Sequence, residues 1–287
     1  MTAPATYAKP EALVTTGWVV AHGADAGVRL VEVDVDTNAY ATGHVHGAAG
    51  WNWQTQLGDV VRRDIVSREA WDTLLSATGI NADTHIVFYG DNNNWFAAYA
   101  YWVARLYGHA RVSLMNGGRK KWELEGRELV TEIPTFAPTA YEAAEADFSI
   151  RAYSHDVKAT IGDAAHALVD VRSPAEFTGQ VIAPPGMQET AQRAGHVPGA
   201  ANVPWAQAAN EDGTFKSAAD LAALYEGKGV TSDKDVIAYC RIGERSSHTW
   251  FVLRELLGFA NVRNYDGSWT EWGNLIGAPI SNPSAAH

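Results

Sequence analysis

The sequence predicts an α/β protein made of two tandem copies of one unit, each a mostly parallel sheet with helices on both faces. Short runs of β-branched and aromatic residues alternate with longer apolar runs of helical period, the pattern that gives parallel strands joined by helical crossovers. The same order of features occurs twice. Over the last third of each copy a single offset of 150 residues holds, pairing Gly108 with Gly258, Val112 with Val262, Gly117 with Gly267 and Trp122 with Trp272. Chance does not keep one offset across a strand, a helix and another strand.

Residues 1–20 read as a short lead-in. Val28 to Val35 is a strand, and the turn-rich Gly43-His44-Val45-His46-Gly47-Ala48-Ala49 follows it. Ser67 to Thr78 has the period of an amphipathic helix, with Ser67 as N-cap and Gly79 as stop. His85 to Gly90 is a buried strand, Trp95 to Tyr107 an apolar helix ending at Gly108, and Val112 to Met115 a short strand before Asn116-Gly117-Gly118. From about Thr131 to Ser149 prolines, alanines and acidic residues replace the periodic pattern, as expected of a linker. The pattern then returns: Leu168 to Val171 echoes Val31 to Val35, Gly195 to Ala200 echoes Gly43 to Ala48, and Val236 to Tyr239 echoes Ile86 to Tyr89. The second copy carries an extra loop, roughly 179–194. The expected domains are 1–135 and 150–287, joined by 136–149. Most tryptophans, among them Trp102, Trp122 and Trp272, fall at core positions.

Composition narrows the function classes. Hydrophobic residues make up 46% and charged residues 19%, ordinary for a globular protein, and the formal charge of −11 disfavours nucleic acid or an anionic membrane as partner. The single cysteine excludes an intramolecular disulfide and a cysteine-rich metal site. The N-terminal residues lack the pattern of a secretory signal, and no apolar run reaches membrane-spanning length. A cytoplasmic, reducing setting is expected. His44 and His46 share a strand face but lack a third ligand, so no metal is expected; His44 and His196 hold turns by hydrogen bonds. The glycines at 117, 118 and 267 lack the spacing of a dinucleotide fingerprint, and no cofactor is implied.

The chemistry concentrates in Asp235 to Trp250. An apolar strand ends at Cys240, a tight polar loop with Gly243 and two arginines follows, and a helical run begins. Ligands of parallel sheets bind at the C-terminal ends of strands. A loop leading into a helix N-terminus there points backbone N–H groups at its contents and favours an anion. Here the anion can be the Cys240 thiolate itself, its pKa lowered by the helix and by Arg241 and Arg245. Arg245 offers a planar donor fork to an anionic substrate. Glu244 works against such an anion and is expected to point outward or to pair with an arginine. In the first copy Gly90 stands where Cys240 stands in the second, so the nucleophile belongs to the second copy. The Asn92-Asn93-Asn94 run reads as a solvated turn.

The duplication, His196-Val197-Pro198-Gly199-Ala200, the Cys240-to-Arg245 loop, and Tyr265-Asp266-Gly267-Ser268-Trp269-Thr270-Glu271-Trp272 together resemble the tandem-domain rhodaneses, a family of sulfurtransferases. The resemblance implies two rhodanese-like domains, the N-terminal one inactive. It also implies a persulfide intermediate on Cys240, and Arg172 as a substrate-binding arginine beside Arg245 and Arg241. Ile242, Gly243, Glu244 and Ser246 complete the implied active-site loop. Thiosulfate enzymes of the family resemble Cys-Arg-Lys-Gly-Val-Thr and mercaptopyruvate enzymes Cys-Gly-Ser-Gly-Val-Thr. Arg241 follows the first type, Gly243 fits both and Ile242 neither. The expected activity is therefore transfer of the outer sulfur of thiosulfate to cyanide, a thiol or a protein sulfur acceptor. The alternatives are a mercaptopyruvate sulfurtransferase and a sulfur carrier or binding module of low turnover. A phosphatase or arsenate reductase needs one residue more between cysteine and arginine than Cys240 to Arg245 provides.

Overall fold

The computed structural model describes residues 6–184, 186 and 191–285, so the first five residues of the lead-in and residues 185 and 187–190 of the expected extra loop lie outside the described residues. The strands, in chain order, are β1 (Leu13–Val14), β2 (Val28–Glu32), β3 (Ala49–Gly50), β4 (Gly58–Asp59), β5 (Asp64–Ile65), β6 (His85–Tyr89), β7 (Val112–Met115), β8 (His166–Asp170), β9 (Ala201–Asn202), β10 (Asp235–Tyr239) and β11 (Val262–Tyr265).

The chain divides into two compact units. One comprises 11–147 with 209–215; the other comprises 148–208 and 216 onward, together with the N-terminal lead through Pro10. The first unit holds a parallel sheet in the order β1-β7-β6-β2-β3 and a small antiparallel hairpin, β4-β5. The second holds a parallel sheet in the order β11-β10-β8-β9. Consecutive residues of a strand face opposite sides of its sheet. The last four residues of β6 and of β10 are all buried, so both sheets are covered on both faces.

Local chemistry explains the elements. Ser67 caps the helix Arg68–Ala77, its hydroxyl accepting from the Ala70 N–H, and Trp71 and Leu75 on its inner stripe are buried. The chain leaves that helix through Gly79 at φ +68, a backbone state glycine adopts without a Cβ penalty. Pro134 to Ala144 carries no helix or strand, yet it is tied to this unit: the N–H groups of Thr139, Tyr141 and Ala143 donate to the Ser76 carbonyl, the Ser76 hydroxyl and Asp72.

The repeat reappears in the hydrogen bonding. Tyr89 at the end of β6 lies opposite Glu32, and Tyr239 at the end of β10 lies opposite Asp170. The Val45 N–H donates to the Tyr89 hydroxyl at 2.9 Å, and the Val197 N–H to the Tyr239 hydroxyl at 3.1 Å. His44 and His196 pin their turns by ring bonds to the carbonyls of Tyr40 and Phe177, each stacked on that same residue's ring. The cores match too: Tyr89, Met115 and Trp122 in one unit, Tyr239, Tyr265 and Trp272 in the other.

Candidate active site

β10 ends at Tyr239, and Cys240 is the next residue. The chain turns through Arg241 and Ile242 to Gly243, which caps the helix Glu244–Phe251. The loop is therefore shorter than the sequence implied: Glu244, Arg245 and Ser246 belong to the first turn of the helix. Gly243 has φ +101, and a Cβ there would lie 2.7 Å from the Cα of Asp266, so only glycine fits. This geometry turns the Gly243 N–H onto the Cys240 sulfur at 3.1 Å.

Cys240 is fully buried. Its N–H donates to the Ser268 hydroxyl at 3.0 Å, and that hydroxyl donates to the Tyr265 carbonyl at 2.6 Å. Ser268 holds φ +52, a left-handed conformation uncommon for a residue with a side chain, and its two hydrogen bonds hold it there. The Ser246 hydroxyl lies 3.6 Å from the sulfur and 2.6 Å from Asn264 Oδ1, and Asn264 Nδ2 donates to the Gly243 carbonyl and to Ser247. Asn264 thereby ties the loop to β11. Arg241 is nearly buried, and its carbonyl accepts from the Thr270 N–H at 3.0 Å; Ile242 is half-buried.

Glu244 does not point outward. It is 3% exposed, its Oε2 accepts from the Cys240 thiol at 3.4 Å, and its Oε1 lies 4.0 Å from Arg245 Nε. A carboxylate thus faces the thiol directly. Burial first, and Glu244 second, push the Cys240 thiol up, against the pull of Arg245 and Ser246. The structure therefore runs against the expected lowering of the thiol pKa: the sulfur is desolvated and faces a carboxylate.

Arg245 is buried and bidentate to Glu176, Nη1 to Oε2 and Nη2 to Oε1, both at 3.2 Å. Burial alone would lower the arginine's pKa, but Cys240, Glu244 and Glu176 outweigh it and raise it. Burial would likewise raise Glu176, and Arg245 and Ser173 outweigh it, so its pKa falls. Glu176 escaped the sequence reading. Ser173-Pro174-Ala175-Glu176 does carry a legible helix start, a capping box in which Ser173 and Glu176 bond each other's N–H. The partner 69 residues away carries no local signal. Glu176 and Arg245 line a cavity of about 440 Å³ whose apolar wall includes Val171, Pro174, Pro204 and Trp205.

Arg172 does not present its guanidinium to solvent, and its Nη1 is left without a hydrogen-bond partner among the described residues. It is completely buried and bonded to Asp170 by Nε at 3.0 Å and Nη2 at 2.6 Å; Nη2 also reaches the Gly195 carbonyl, and the group lies 4.4 Å over the Trp269 ring. The other unit explains why. There Glu32 occupies the place of Asp170, and its counter-ion is Arg119 on the helix Gly118–Leu124. The offset of 150 places Trp269 where Arg119 stands. The second unit has no cation at that helix position; its cation is Arg172, two residues past the end of β8, whose charge neutralises Asp170. In the first unit the residue two past Glu32 is Asp34, whose carboxyl burial and Glu32 push up to about 9.

Gly90 stands at the place of Cys240, and a Cβ there would lie 2.1 Å from the Val33 carbonyl oxygen. Asn92, Asn93 and Asn94 are all left-handed, with φ of 43, 57 and 66. Only part of the run is solvated: Asn94 is fully buried, accepting from the Gly90 N–H and donating to the Met115 carbonyl. Among the described residues no group of three or more histidine, cysteine or acidic side chains could hold a metal, and no helix is long and apolar enough to cross a membrane.

Known proteins resemble this chain in sequence and fold. The rhodanese-like domain family matches twice, at residues 15–125 and 154–275. A protein of Saccharopolyspora erythraea named "Putative thiosulfate sulfurtransferase" is 59% identical over 276 residues, 96% of this chain and 98% of that one. The sulfur carrier protein TtuD of Thermus thermophilus is 55% identical over 279 residues, again 96% and 98%. The crystal structure of SseA from Escherichia coli, described as a 3-mercaptopyruvate sulfotransferase, superposes with a TM-score of 0.78 at 25% identity, covering 90% of this chain and 98% of that one. With a rhodanese-like domain matched over most of each half, and near-full-length relatives above half identity, the chain belongs to the rhodanese family.

Proposed function

We propose that this protein is a sulfurtransferase that takes the outer sulfur of thiosulfate onto Cys240 and passes it from the resulting persulfide to a thiol, cyanide or a protein acceptor. The observation that carries the reading is the setting of the chain's only thiol, at the end of a parallel strand with the Gly243 N–H on its sulfur and serine hydroxyls around it. The thiolate attacks the outer sulfur and sulfite leaves. The persulfide anion then occupies the same donor shell, and the acceptor removes its outer sulfur in a second step. Arg245 lines the cavity and neutralises the buried carboxylates. Arg241 is the next residue of the loop after the nucleophile. The naming of the Saccharopolyspora relative supports thiosulfate as donor.

A second reading, a sulfur carrier that loads readily and turns over slowly, is favoured by the complete burial of Cys240 and by the name of the Thermus relative. Intact-mass measurement with steady-state kinetics decides between them. Thiosulfate should make the protein one sulfur atom heavier, cyanide or a dithiol should restore the original mass, and Cys240→Ser should show neither change nor turnover. kcat/KM for thiosulfate should exceed that for mercaptopyruvate. Loading without turnover selects the carrier, and loading from mercaptopyruvate alone overturns the donor assignment.

A further inference from the structure

The proposed reaction uses the Cys240 sulfur but leaves one contact unexplained. Glu244 lies one helical turn beyond Cys240 with Oε2 accepting from the thiol at 3.4 Å. A buried carboxylate in a shell otherwise made of anion-stabilising donors works against holding a thiolate, a persulfide or a dianionic donor. Its placement is nevertheless built. Oε1 is turned to Arg245, which Glu176 orients from the other side, and Oε2 is left facing the sulfur. The first copy provides an internal comparison. Asn94 stands where Glu244 stands and also reaches back to the residue four positions earlier, but it meets the backbone N–H of Gly90. The copy with the thiol has the carboxylate, and the copy without it has the neutral amide.

We propose that Glu244 is a catalytic residue of the sulfur transfer, the proton acceptor for Cys240 as the donor is attacked. The inference rests on the sulfurtransferase reading above. As the donor arrives the Cys240 S–H bond breaks, its proton passing to Oε2 while its electron pair stays on sulfur. That pair forms the bond to the outer sulfur of thiosulfate. The S–S bond of thiosulfate breaks with its electrons leaving on sulfite, which takes the proton from Glu244. A neutral thiol and a dianion thus become a persulfide monoanion and bisulfite, with the carboxylate restored. The buried site never holds thiolate, carboxylate and dianion together. The other groups around this proton are Arg245 and Glu176, paired; Arg241 on the loop; Asp266, packed at Gly243 and bonded to Arg151; and His248 one turn along, whose buried ring is held neutral by a pKa of about 3.

The test compares wild type with Glu244→Gln and Glu244→Asp. Sulfite release in a single turnover and alkylation of Cys240 by iodoacetamide are each followed from pH 6 to 9, and folding is checked by thermal unfolding. Internal proton transfer gives the wild type a flat profile through neutral pH. Glu244→Gln should be slower by about 100-fold at pH 7, the lower end of what a positioned base contributes. Its rate should climb with pH toward the wild-type value as solvent takes over the proton. Glu244→Asp, shorter by one methylene, should fall between them, and it decides the matter if Glu244→Gln does not fold. If the carboxylate only repels charge, its removal favours the thiolate; a Glu244→Gln rate equal to or above wild type at pH 7 overturns the proposal. Alkylation needs no sulfur donor, so it separates the two failures. A shifted alkylation profile without persulfide from thiosulfate sinks the donor assignment alone, whereas persulfide formed at wild-type rate by Glu244→Gln sinks the role of Glu244 alone.

Discussion

Replacing Arg245 by methionine tests the electrostatic logic of the site. Arg245 is 5% exposed and Glu176 1% exposed, and they are joined by two bonds of 3.2 Å; Glu244, 3% exposed, lies on the other side of the guanidinium. With the thiol neutral, these three side chains carry one positive and two negative charges. Arg245→Met leaves two buried carboxylates without their cation, and breaking a buried pair from one side costs about 3–5 kcal/mol. For a unit of this size that lowers Tm by roughly 6–20 °C. The pH dependence has a definite sign. Glu176 has a depressed pKa in the folded protein, so its contribution to stability is complete above the unfolded value of about 4.3 and is lost as pH falls through the lower folded value. In the variant Glu176 keeps Ser173 but is a buried carboxylate without its cation, which acid relieves by protonation. The Tm gap should therefore be widest near neutral pH and narrow toward pH 4. Adding Glu176→Gln to Arg245→Met should recover part of the loss, and the double-mutant cycle isolates the coupling. Calorimetry across this pH range is the assay. A Tm gap under 2 °C, or one that does not change with pH, would refute the assignment of Arg245 as counter-ion to these buried carboxylates.

Two further substitutions probe the backbone that frames the site. Gly90→Cys should not create a second persulfide position, because its Cβ meets the Val33 carbonyl oxygen at 2.1 Å; the variant should be destabilised and gain no more sulfur per chain than wild type, as intact mass would report. Gly243→Ala combines φ +101 with a Cβ 2.7 Å from Asp266 Cα. It should cost about 1–3 kcal/mol of stability and slow persulfide formation by displacing the N–H from the sulfur; a variant that loads as fast as wild type would show that this N–H is dispensable.

Much of the architecture was legible in the chain. Hydrophobic period and cap chemistry act within a few residues, so the helix from Ser67 to Gly79, the strands ending at Tyr89 and Tyr239, and the turn histidines His44 and His196 could be placed by local rules. Duplication added long-range information, because a constant offset put Gly90 opposite Cys240 without any coordinates. Cys240 stood out because it is the only thiol and lies between a strand and a helix.

What the tertiary structure decided is where the charges point and what they meet. Arg172 has the spacing of a substrate arginine, but it is buried beneath Trp269 and bonded to Asp170. Glu244 looked misplaced because a sequence does not show which face of the first helical turn a side chain occupies; the left-handed Gly243 turns it onto the sulfur. Glu176 reads as a cap, and only folding brings it across 69 residues to Arg245. Local propensity and repetition act along the chain and can be read there. Desolvation and Coulomb interactions depend on distance through space, so the direction of the Cys240 pKa, and the proton acceptor proposed for it, became visible only once the chain was folded.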